Sequence, residues 1–105
     1  MALRPPQNLN TGIRFETGAS ILEAEIAAEK AASLGRAGAQ VERALARLKD
    51  PDVVEREGRE ALLKAAANEV WKFFIQREAL GMRDQRPVIQ ALEIPRAVLV
   101  RLGAR

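Results

Sequence analysis

From Ser20 onward, small or apolar residues recur at Ser20, Ala24, Ala27, Ala31, Leu34, Gly38, Val41, Leu45 and Leu48. Steps of four and three alternate throughout, which is the seam of a heptad-patterned helix. Glu25, Glu29, Arg36, Gln40, Arg43 and Arg47 fall on the other face as a solvated stripe. Thr17 to Ser20 offer N-cap hydroxyls, so the pattern predicts a first helix over about 20–49. Asp50-Pro51-Asp52 ends it and starts a second, because Asp50 can cap and Pro51 sits where an N–H is not needed. The second helix is predicted over 51–80, with Gly81 just past its end. Glu55–Arg59 and Glu60–Lys64 are spaced i,i+4 in the favourable order. Two long helices joined by a short turn are antiparallel neighbours.

The seam is mostly alanine and glycine in its first half, which lets two backbones approach closely. Gly35 and Gly38 each weaken a helix by roughly 1 kcal/mol relative to alanine, so they mark close contact in preference to a kink. Thirty helical residues span ~45 Å, whereas a 100-residue domain has a radius of gyration of only ~13 Å. A first helix that does not bend at Gly35–Gly38 is therefore too long for a compact monomer, and self-association would cover its apolar surface.

The second helix is apolar on two sides. Leu62, Ala66, Val70, Phe73 and Leu80 share one face, whereas Trp71 and Ile75 project from the opposite side. The first helix covers one face; the C-terminal segment, the N-terminal arm or a second chain covers the other. A ligand pocket beside Trp71 is the less favoured reading. Glu69 and Arg77 fall by angle among the apolar residues, so they must be paired or reach water.

Beyond Gly81, Asp84 can cap a short helix over about 85–92, and Ile94-Pro95 leads into another over about 95–102. Val88, Leu92, Ile94, Leu99 and Leu102 fit the internal core of a helix-turn-helix, with Arg83, Arg86, Arg96, Arg101 and Arg105 available for phosphates. Ile89 and Glu93, however, occupy places where that motif prefers alanine and glycine. Plain packing of the two helices over Trp71 and Ile75 is favoured. Residues 1–19, rich in Pro, Asn and Gly, read as an arm, flexible or docked through Ile13 and Phe15.

Composition narrows the chemistry. The 105 residues include no His, Cys or Tyr, which removes the usual zinc and haem ligands and the commonest general base. Glu25 and Glu29 could in principle share a metal, but a solvated stripe explains them better and no metal or other cofactor is expected. The chain contains neither a glycine-rich phosphate loop nor a nucleophile elbow. Net charge is +3, and segments 1–19, 20–49, 50–82 and 83–105 carry +1, +1, −2 and +3, which sum to that value. The basic end is C-terminal, but the total is low for a nucleic-acid binder. No apolar run exceeds four residues, which argues against a membrane span and a signal-peptide core and makes the cytoplasm the expected compartment.

The stretches EIAAEKAASLGRAG, VWKFFIQREALGMRDQ and IPRAVLVRLGA resemble a family of small, uncharacterised all-helical bacterial proteins of unknown function. That resemblance implies no activity and assigns no residue a role. The expectation is a non-enzymatic, all-α chain: an arm over 1–19, then one helical domain over 20–105. Its long antiparallel hairpin and two short C-terminal helices would complete a bundle by dimerisation. Ala27, Ala31, Gly38, Trp71 and Ile75 are the candidate self-association residues. A further protein partner is compatible with this. The alternative is a nucleic-acid-binding regulator using the five C-terminal arginines named above.

Overall fold

The computed structural model describes the backbone of residues 6–104 and the side chains of residues 18–104. Five helices follow in order: α1 (Pro6–Leu48), α2 (Pro51–Glu57), α3 (Arg59–Ala79), α4 (Arg86–Ala91) and α5 (Arg96–Leu99). No strand occurs among the described residues. The fold is the all-α antiparallel hairpin expected, with short C-terminal helices. The chain divides into two units between Ser33 and Leu34.

In the first unit, α1 begins at Pro6, N-terminal to the Thr17–Ser20 region from which the sequence reading starts it. A proline at the first helical position lacks only an N–H that would have no partner there. Residues 6–19, read as an arm, therefore carry helical backbone. The side chains of Ile13 and Phe15, suggested as docking points, lie outside the described residues. From Gly18 to Ala32 every side chain is exposed, including Ile21, Leu22 and Ile26.

In the second unit, the stretch of α1 from Leu34 to Leu48 packs against α3. The core joins Val41 and Leu45 of α1, Leu63, Ala66, Ala67, Val70, Phe73 and Phe74 of α3, and Ile94 and Val98 of the C-terminal segment. Leu34, Ala37, Ala44, Leu48, Val88, Ile89 and Leu92 pack around it. Gly38 faces α3: a Cβ there would stand 3.5 Å from Cε1 of Phe73. That is ordinary contact with a large side chain, and α1 continues through Gly35 and Gly38 without interruption.

Asp50 caps α2 as expected, its Oδ1 accepting from the Asp52 N–H at 3.0 Å, with Pro51 in the first turn. The helix expected over 51–80 is, however, broken at Gly58, whose φ of 87° and ψ of 138° are far from helical. Its N–H closes α2 on the Val54 carbonyl, and its carbonyl opens α3 by accepting from Leu62. The break separates Glu55 from Arg59, so the i,i+4 pair expected there does not form on one helix. Gly81, at φ 92°, ends α3 as predicted, with Met82 N–H donating back to the Arg77 carbonyl at 2.9 Å.

The C-terminal helices are shorter than expected. Val100 to Gly103 wind on in tight turns, with Arg101 N–H donating to Val98 and Ala104 N–H to Arg101. Between α4 and α5, Glu93 adopts a positive φ of 52° and Ile94 N–H donates to the Ile89 carbonyl. The turn glycine of a helix-turn-helix would stand at this position, and glutamate holds the same left-handed conformation at a cost.

Candidate interaction surface

Two of the five arginines offered for nucleic acid, Arg86 and Arg101, are held in ion pairs within the chain. Arg101 grips Glu60 with two hydrogen bonds, Nε to Oε2 at 2.9 Å and Nη2 to Oε1 at 2.8 Å, and donates to its own Ala97 carbonyl. The Arg101 guanidinium holds the Glu60 carboxyl below the usual range, and Glu60 in turn raises the arginine. Arg86 is bound in the same two-pronged way to Asp84, whose carboxyl is likewise lowered by it. Arg83 and Arg96 are exposed, and Arg105 lies outside the described residues. A reading helix also needs length, and α5 is a single turn of four residues. These observations do not favour the nucleic-acid alternative.

Arg77 resolves its own burial within the chain. Its guanidinium donates from Nε to Gln85 Oε1 at 2.7 Å and from Nη2 to the Asp84 carbonyl at 3.0 Å. Its Cζ stands 6.0 Å from the Phe73 ring centroid. Glu69 pairs with Lys72 one turn on, at 3.2 Å. Neither residue pairs with the other, and both are accommodated as parts of the fold. Glu25 and Glu29 are exposed on α1, and no group of three or more acidic side chains comes together among the described residues.

In the second unit the large apolar side chains left exposed are Trp71, Ile75 and Val100. Trp71 is 45% exposed and Ile75, one turn on, 47%. The segment after α5 comes back against Trp71: a Cβ on Gly103 would stand 3.7 Å from its Cζ3. The helices thus fold back as far as the edge of Trp71 and leave its outer face bare. Beside it lies a cavity of about 390 Å³ lined by Asn68, Trp71, Gly103 and Ala104. Lys64 and Glu78 are exposed on the same helix, seven residues before and after Trp71, and hence on the same face.

The model of a family of unknown function (DUF6665) matches residues 1–105. The chain belongs to this family. No curated protein and no solved structure matches it. Membership of DUF6665 agrees with the resemblance read from the sequence and assigns no residue a task.

The other candidate residues of this DUF6665 chain are placed as follows. Gly38 is occupied by Phe73 of its own chain, whereas Ala27 and Ala31 are exposed in the first unit. Sequence reasoning missed Asn68, Gly103 and Ala104 as walls of the cavity, because the path of the last residues follows from Gly103 at φ 74° and not from periodicity. No helix among the described residues is long and apolar enough to cross a membrane.

Proposed function

We propose that this protein is a non-catalytic helical module whose role is to associate with itself, as a homodimer, and through that assembly with a protein partner. The observation that carries the reading is the pair of large apolar side chains, Trp71 and Ile75, held about half exposed on the rigid α3 beside a preformed cavity. Exposed aromatic and aliphatic residues next to a recess are the usual anchors of protein interfaces. The absence of His, Cys and Tyr from the sequence supports a role outside catalysis. The cytoplasm of a bacterium is the proposed setting, on the alanine- and arginine-rich composition and the short apolar runs. Light scattering of the purified chain at micromolar concentration tests the reading. The expected mass is twice 11.5 kDa. A mass of one chain that persists to the highest soluble concentration would remove it.

A further inference from the structure

We propose that α3 pairs antiparallel with α3 of a second copy about a two-fold axis at Trp71, each Ile75 entering the cavity beside the other Trp71. This rests on the self-association reading and says which surface performs it. Three features of one helix face support it together.

The first is register. A two-fold axis through Trp71 brings each residue after it opposite the residue equally far before it on the other helix. Ile75, four residues after Trp71, therefore meets the level of Ala67 and Asn68. That is where the cavity opens, between Asn68, Trp71, Gly103 and Ala104. Knob and recess thus stand at matching distances from the axis, on a helix that rises ~1.5 Å per residue. The recess is framed partly by backbone: Gly103 brings no side chain, and its φ of 74° disfavours any other residue there.

The second is charge. Lys64 lies seven residues before Trp71 and Glu78 seven after, both exposed and on the Trp71 face. The two-fold axis sets Lys64 of each copy against Glu78 of the other, twice. A parallel pairing would set lysine against lysine and glutamate against glutamate, so the charges select the antiparallel arrangement. Neither residue holds a side-chain salt bridge among the described residues. Lys64 lies near enough to Glu60 to help lower its carboxyl, but the hydrogen bonds of Glu60 go to Arg101.

The third is support. Behind Trp71 and Ile75, the inner face of α3 is fixed by Ala66, Ala67, Val70, Phe73 and Phe74 in the core. A rigid face loses little side-chain and backbone freedom on docking.

The test uses the full chain, with sedimentation equilibrium and the emission of Trp71, the sole tryptophan. The wild type should be a dimer whose emission shifts to the red as dilution exposes Trp71. Ile75→Asp, at an already half-exposed site, should raise the dissociation constant by about 100-fold or more with helicity unchanged. Lys64→Glu and Glu78→Lys should each weaken the dimer about tenfold, since each reverses two exposed pairs. The double variant K64E/E78K should recover wild-type affinity. An equimolar mixture of the two single variants should form the heterodimer in preference to either homodimer. A wild-type dimer that Ile75→Asp and both charge reversals leave intact overturns this interface and keeps the self-association reading. A wild type that stays monomeric overturns both.

Discussion

Arg77 sits where a helix-face argument places a charge among Leu62, Val70, Phe73 and Leu80, and its solution lies in the loop after its own helix. The fork of Nε and Nη2 spans Gln85 and the Asp84 carbonyl, and so ties residues 82–85 to the end of α3. Arg77→Leu should therefore cost about 1–3 kcal/mol in urea unfolding, because bonds from a charged donor go and the Asp84 carbonyl loses a partner. Arg77→Lys should recover only part of it, since an ammonium cannot reproduce the two-pronged geometry. The need for a partner was legible in the sequence; the partner was not, because the loop path follows the positive φ of Gly81. Glu60 and Arg101 pose a different residue-scale question, since both ends of their pair are partly in water. Glu60 has a folded pKa below its ordinary value, so the unfolded chain binds the proton more readily. The contribution is present above the ordinary glutamate pKa of about 4.3 and is lost as pH falls through the lowered value. Glu60→Gln should flatten that part of the stability profile by lowering stability slightly at neutral pH and leaving it unchanged in acid, the effect being small because screening keeps exposed pairs weak.

At the scale of elements, three glycines that look alike in the sequence do different work. Gly58 breaks the second helix into α2 and α3 because its backbone leaves the helical region, at φ 87°. Gly38 lies against Phe73, and Gly35 faces open space in the middle of α1. Gly35→Ala should raise stability by about 0.5–1 kcal/mol, the ordinary gain of replacing an exposed helical glycine. Gly58→Ala should lower it by about 1 kcal/mol or more, because an L side chain is strained at that φ even with room for the Cβ. Thermal unfolding of the two variants beside wild type gives the opposed signs directly. Periodicity foresaw the Asp50-Pro51 turn and the end of α3 at Gly81, since capping chemistry is local. It did not foresee Gly58, since the apolar spacing on either side continues as though the helix were whole. Glu93 carries the same lesson: glutamate in the turn argued against a helix-turn-helix, yet the backbone there is left-handed all the same. The length of α5 and the engagement of Arg86 and Arg101 do not favour nucleic-acid readout.

At the scale of the whole molecule, the 4-3 seam that runs unbroken through the sequence serves two different environments. Leu34, Gly38, Val41, Leu45 and Leu48 meet the core, whereas Ala24, Ala27 and Ala31 are exposed. A pattern of small residues records only that close approach is sterically allowed. Which stretch receives a partner helix within the chain depends on where α3 ends, and the seam carries no mark of that. Every buried side chain of the described residues belongs to the second unit. A chain beginning at Leu34 should therefore unfold cooperatively in urea with a midpoint close to that of the full protein. Its circular dichroism should fall only by the helix removed. Its mass in light scattering should still be that of a dimer, because Trp71, Ile75, the cavity, Lys64 and Glu78 are all retained. A folded but monomeric shortened chain would assign self-association to Ile21, Leu22 and Ile26 on the first unit instead. An unfolded one would show that the first unit supports a core to which it contributes no buried side chain.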